Sequence, residues 1–207
     1  MAAFKPAVTG LEDPPPGWPP DHELLAAAAS TGQAPEDVAP YRFGPAVSPH
    51  LAASLAGGRV DRTRLLAAAR AAAGHSDLLV AEGVGGLLVP LSLDYSVRDL
   101  AADLGLPVVV AARPGLGTIS HTLLTIEAAR AGGLTVAGVV LTPWPGAPGG
   151  LERTNRETIE RLSGVRVACL ARASPASLAA AGAALPLDAW LEARAGSATG
   201  QAPRRVA

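Results

Sequence analysis

The stretch from Asp77 to Gly86, Asp-Leu-Leu-Val-Ala-Glu-Gly-Val-Gly-Gly, restricts the fold of this chain more than any other. Leu78 to Ala81 form an unbroken apolar run with no polar residue at helical spacing, which predicts a central strand of a parallel sheet, covered on both faces. The glycines after Glu82 let backbone N–H groups approach a ligand closely. In open α/β sheets the ligand lies beyond the carboxyl ends of the strands, so Glu82 stands where a phosphate-bound metal would be held. On these residues alone, Glu82 is either such a carboxylate or the cap of a turn.

Alternating segments around this strand extend the pattern. Met1 to Pro6 read as a short strand already in progress, the proline-rich residues 11–20 as an irregular surface loop, and Asp21 as the N-cap of a helix over His22–Ser30. Capping does not exclude a metal held by Asp21 through water. Residues 33–47 read as a second loop, and Ser48-Pro49 open another helix with Ser48 as N-cap. A helix over Arg62–Ala73 ends at Gly74, and another lies near Ser96–Leu104. Strand Pro107–Ala112, a helix from Thr118 to Gly132-Gly133, strand Val136–Leu141, a loop at Pro143-Trp144-Pro145, a helix over Glu152–Leu162 and strand Val165–Leu170 follow. Such alternation implies an α/β protein with a doubly wound, mainly parallel sheet and helices on both faces. The expected organisation is one domain over residues 1–195 and a disordered polar, basic tail over 196–207.

Composition narrows the function. The 207 residues carry 17 Lys and Arg against 18 Asp and Glu, dispersed along the chain, which argues against a nucleic-acid partner. A single cysteine, Cys169, rules out an intrachain disulfide framework, and the chain shows neither a signal peptide nor a long apolar run. A cytoplasmic protein without membrane attachment is the expectation, with Cys169 in the core. Almost every basic residue is Arg, and Lys5 is the only lysine. A lysine kept in such a background fits a site that needs a compact ammonium instead of a planar fork; the alternative is an ordinary surface residue.

In order along the chain, Lys5-Pro6 with Thr9, Tyr41 to Ser48-Pro49-His50, Glu82-Gly83-Val84-Gly85-Gly86-Leu87 with Pro90-Leu91, and Gly117-Thr118-Ile119-Ser120-His121-Thr122-Leu123-Leu124-Thr125 resemble dethiobiotin synthetase. The resemblance covers roughly residues 2–170, so it rests on an ordered set instead of one motif. It implies a P-loop NTPase type of fold, and an enzyme of biotin synthesis that uses ATP, CO2 and Mg2+ to convert 7,8-diaminopelargonate to dethiobiotin, working as a homodimer. Lys5 resembles the family lysine that contacts the transferring phosphate and the carbamate, and Thr9 its hydroxyl partner at the substrate. Asp21 and Glu82 resemble the two Mg2+ carboxylates, with Gly83, Val84 and Gly85 beside the nucleotide. Thr118 and Ser120 resemble the segment that receives the substrate's tail carboxylate across the dimer interface, at a helix N-terminus.

Two departures accompany the resemblance. The family begins with a strand and a loop of the type G-x-x-x-x-G-K-S/T, and these 207 residues contain no such sequence. The expectation is a chain short by roughly thirty residues, a strand–loop–helix unit, and therefore a poor ATP binder without turnover as it stands. Where many members place an Asn to read the purine, this chain has Thr142-Pro143, which implies looser base selection. Two rival readings remain at this point. One is a P-loop amidoligase similar to cobyrinate diamide synthase, which shares the Glu-Gly-x-Gly-Gly stretch but adds a glutaminase domain with a Cys nucleophile. The other is a non-catalytic dimeric pseudo-enzyme.

Overall fold

The computed structural model describes residues 1–74 and 76–197, and they divide into two compact units, Met1–Leu104 and the residues from Gly105 on. In the first unit, strand β1 (Ala2–Phe4) is followed by helices α1 (Asp21–Ala28), α2 (Pro35–Val38), α3 (Pro49–Leu55) and α4 (Arg62–Ala73). Then come strand β2 (Leu79–Ala81), a hairpin of β3 (Pro90–Ser92) with β4 (Tyr95–Ser96), and helix α5 (Val97–Leu104). β1 and β2 pair in parallel, Ala3 opposite Val80, and the N–H of Glu82 prolongs the ladder by donating to the Phe4 carbonyl at 2.8 Å. Phe4, Leu65, Ala69, Leu91 and Leu100 form the core of this unit, with α4 packed on β1.

The free edge of β1 is closed by a side chain. Gln33 Oε1 accepts from the Ala3 N–H at 2.8 Å, and its Nε2 donates to the Ala3 carbonyl at 3.0 Å. One amide thereby makes both bonds that a neighbouring strand would make, which shields an edge otherwise open to foreign pairing. Further on, the Lys5 N–H donates to Val38 and the Val8 N–H to Tyr41. The segment expected as a loop over 33–47 thus runs alongside β1, and it contains the short helix α2.

The second unit holds β5 (Val108–Ala112), α6 (Thr118–Ala131), β6 (Val136–Trp144), α7 (Gly150–Ser163) and β7 (Val167–Ala171). A 3-10 turn at Pro175–Ser177 leads to α8 (Leu178–Gly182) and α9 (Leu187–Ser197). The three strands form a parallel sheet in the order β5-β6-β7, over a core of Val110, Ile126, Val139, Leu141 and Ile159. Trp190 of α9 lies on β6 where a Cβ at Gly138 would run into its indole, so only glycine fits at that point of the strand.

Among the described residues the one antiparallel pairing between strands is the β3–β4 hairpin; the fold is α/β with mainly parallel strands, as expected. Three expectations need correction. β2 is not covered on both faces: Val80 is 44% exposed and Ala81 is exposed, since among the described residues β2 pairs with β1 alone and α4 packs on β1. β6 does not stop at Leu141 but continues through Thr142-Pro143, a cis peptide, to Trp144, pairing with β7 at Ala171. Helix α9 runs to Ser197, two residues into the expected tail; residues 198–207 lie outside the described residues. Among the described residues no helix is long and apolar enough to cross a membrane.

Arg62 ties α4 to α5 by donating to both carboxylate oxygens of Asp103 at 2.7 and 2.8 Å, and Tyr95 donates to the same carboxylate at 2.6 Å. The hydrogen bond from Arg62 holds the Asp103 carboxyl below its ordinary range, against partial desolvation and with help from Tyr95. A carboxyl whose folded value is depressed stabilises the fold above the unfolded value, and that contribution disappears as the pH falls through the folded value. Asp103→Asn should therefore lower the unfolding midpoint at neutral pH and make the loss on acidification through and below the ordinary carboxylate range shallower. Circular dichroism across an acid titration measures it, and an unchanged acid limb would remove this pair from the stability of the unit.

Candidate active site

Lys5 follows the last residue of β1, and its side chain is only 4% exposed. Phe4 enters the core, so at the strand end the alternation of side chains sends Lys5 the other way. An ammonium withdrawn from water needs charged or strongly polar partners. Its Nζ donates to Glu82 Oε1 at 2.5 Å and lies 3.0 Å from Asp21 Oδ2, with the Gly83 carbonyl at 3.5 Å. The lone lysine and the two carboxylates singled out from the sequence are therefore one cluster, assembled from the ends of β1 and β2 and the start of α1.

Asp21 occupies the first helical position, not the N-cap. Pro20 is the N-cap and makes no side-chain bond, while the Asp21 carboxylate turns to Lys5. Ser48 does stand at the N-cap of α3, but its hydroxyl pairs with His50 Nδ1 at 3.0 Å instead of a backbone N–H. In both cases the side chain is engaged by another side chain, Lys5 or His50, and not by a backbone N–H.

The glycine-rich loop after Glu82 is held by sterics. Gly85 has φ +68°, and a Cβ there would stand 2.9 Å from Val89 Cγ2; a Cβ at Gly83 would stand 3.0 Å from Val97 Cγ1. Gly83, Gly85 and Gly86 are exposed and Val84 is half-buried, so the loop presents backbone to solvent next to the Lys5 cluster. Thr9 is half-buried and is followed by the turn at Gly10.

The side chains of Asp21 and Glu82 are 56% and 48% exposed although each contacts the buried ammonium, so each carboxylate keeps a face open to solvent. Two carboxylates and one ammonium leave a single excess negative charge. Mg2+ takes hard oxygen ligands, and it is usually bound by one or two carboxylates together with substrate phosphates and water. Asp21 and Glu82 fit that pattern. Among the described residues no group of three or more His, Cys, Asp or Glu side chains could make an all-protein cage.

Thr118, Ser120, Thr142 and Pro143 belong to the second unit. Thr118 is buried, its hydroxyl 3.3 Å from that of Thr122 and its N–H donating to the Gly115 carbonyl, whereas Ser120 is exposed in the first turn of α6. Thr142 is half-buried and Pro143 exposed at the end of β6. Sequence reasoning missed Gln33 and Asn155. Asn155 is 5% exposed at an inward position of α7, one turn before Ile159, and a polar residue on a buried stripe was the available signal.

The chain is an α/β protein with a lysine and two carboxylates beside a glycine-rich turn, and residues 1–173 match the family model described as AAA domain. An ATP-dependent dethiobiotin synthetase BioD of Anaeromyxobacter dehalogenans is 49% identical over 138 residues, 67% of this chain and 60% of that protein. The same enzyme from another Anaeromyxobacter species is 40% identical over 172 residues, 79% of this chain and 76% of that protein. That of Bacillus subtilis is 35% identical over 167 residues, 81% of this chain and 71% of that protein. Within its class, the chain belongs to the dethiobiotin synthetase family, and it spans about 60% of the length of the A. dehalogenans relative.

Gly85→Ala should destabilise the first unit by about 1–3 kcal/mol, since the new methyl meets Val89 and the left-handed backbone is strained for any L side chain. Adding Val89→Ala should restore only part of the loss, because the backbone strain persists. Urea denaturation of both variants reads the difference; full restoration would show that sterics alone require the glycine.

Proposed function

We propose that this chain carries the activity of its family, ATP-dependent dethiobiotin synthesis from 7,8-diaminopelargonate, CO2 and Mg-ATP. The observation that carries the reading is the convergence of Lys5, Asp21 and Glu82, three residues of the first unit far apart in sequence, on one ammonium. In this reading one amine of the substrate takes up CO2 as a carbamate, and a carbamate oxygen attacks the γ-phosphorus while ADP leaves. The second amine then attacks the carbonyl carbon of the mixed anhydride, phosphate departs, and the ureido ring closes.

The first attack brings an anion to an anion, so positive charge and fixed geometry matter most. Lys5 supplies a compact charge with a defined direction, because two carboxylates fix the end of its chain. Asp21 and Glu82 would hold Mg2+, which neutralises charge on the transferring phosphoryl group when bound. Gly83, Val84 and Gly85 offer backbone to the nucleotide. Thr142 and Pro143 stand at the nucleotide base, Thr9 and Ser120 at the organic substrate, and Thr118 supports the Ser120 turn from inside. A cytoplasmic homodimer completes the reading.

Lys5→Met, in protein expressed from its own locus, should lower turnover by about a hundredfold or more with the fold retained. Lys5→Arg should fail similarly, since a planar fork does not fit where an ammonium is 4% exposed between two carboxylates. Asp21→Asn and Glu82→Gln should each raise the Mg2+ concentration needed for half-maximal rate. Dethiobiotin formation is followed by mass spectrometry over a Mg2+ series; near-normal turnover in both Lys5 variants would refute the assignment.

A further inference from the structure

We infer that Asn155 is a positioning residue for recognition of the substrate's tail carboxylate, an inference that rests on the function proposed above. Asn155 lies in α7 on the stripe that also buries Ile159 and Ser163, where an apolar residue would pack without needing partners. Both donor hydrogens of its amide are engaged: Nδ2 donates to the Pro114 carbonyl at 2.9 Å and to the Gly115 carbonyl at 3.2 Å. Both acceptors belong to the loop that leads from β5 into α6.

A trans peptide is planar, with its C=O and the following N–H pointing in opposite directions. Turning the Pro114 and Gly115 carbonyls toward Asn155 therefore turns the N–H groups of Gly115 and Leu116 away from α7. Among the described residues neither donates to a protein acceptor. Ile119 and Ser120, second and third in α6, have no helical carbonyl one turn back to bond. Together with the Thr118 N–H, which also donates to the Gly115 carbonyl, Asn155 thus sets the direction of the loop donors that continue the first turn of α6, the turn that carries exposed Ser120. The next residue toward β5 from this loop is Arg113, also exposed, and no acidic residue lies between Arg113 and His121. The segment suits a carboxylate, and Asn155 keeps it in that form without touching the substrate.

The test compares binding of 7,8-diaminopelargonate with that of its methyl ester, by calorimetry, in the wild-type protein, Asn155→Leu and Asn155→Ser. Leu keeps the apolar packing of the helix, and Ser keeps a small polar group if Leu prevents folding. The expected result is an acid-over-ester preference of about tenfold or more in the wild type that collapses toward unity in the variants. The KM for ATP should stay within about twofold. A wild-type protein that prefers the acid yet forms no dethiobiotin would refute the proposed function and leave this inference standing. An unchanged preference in the variants, or no preference in the wild type, would overturn the inference. So would equal weakening for ATP and the acid, which marks a merely structural residue.

Discussion

An ammonium that is 4% exposed must be paired, and in this chain the pairing of Lys5 with Asp21 and Glu82 joins the end of β1, the start of α1 and the turn after β2. Removing one partner of a buried pair leaves a charge without compensation, and this costs more than the pair gains when intact. The cluster therefore constrains where α1 begins relative to the end of β1, and where the turn after β2 can lie. The backbone agrees with it. The Glu82 N–H is bonded to the Phe4 carbonyl, so the carboxylate and the lysine leave adjacent strands at the same level.

Because the pairing is made by side chains at element ends, much of it is legible in the sequence. The single lysine among many arginines, the carboxylate that ends an apolar run and the aspartate that opens a helix after a proline-rich loop all stand where strands meet turns. The bounds of α4, Arg62–Ala73, and the position of α6 follow from helical spacing and terminating glycines. The extent of β6 does not. A proline after Leu141 reads as a stop, yet Thr142-Pro143 continues the strand, since proline is tolerated where no ladder N–H is required of it. The exposure of β2 was illegible for a different reason. An apolar run reports a tendency to be covered, not which neighbours are present to cover it.

Caps were legible by position and not by role. Asp21 and Ser48 both lie at helix starts, but their side chains are drawn to Lys5 and His50. At Thr118 the motif is in place while the hydroxyl faces inward to Thr122, so the exposed hydroxyl of that turn is Ser120. Local hydrogen-bonding rules assign a side chain to the nearest backbone donor. A side chain that offers a bond overrides them, whether it is near in sequence, as His50 and Thr122 are, or in another element, as Lys5 is.

The two units solve a similar problem with different chemistry. Each must hold a turn at the end of a parallel strand in a form that leaves backbone N–H groups available, and a turn of that kind has few contacts of its own. In the first unit the glycine-rich turn is kept in shape by Val89 and Val97, which leave no room for a Cβ, and its start is anchored by the ion cluster. In the second, the loop before α6 is held by a buried amide that engages two consecutive carbonyls. Charge serves the first, where two half-exposed carboxylates share one buried ammonium. A neutral amide serves the second, where its two N–H groups engage two carbonyls without placing a charge behind the loop. Gln33 applies the same kind of group to the edge of β1, where one amide makes the two bonds of a neighbouring strand.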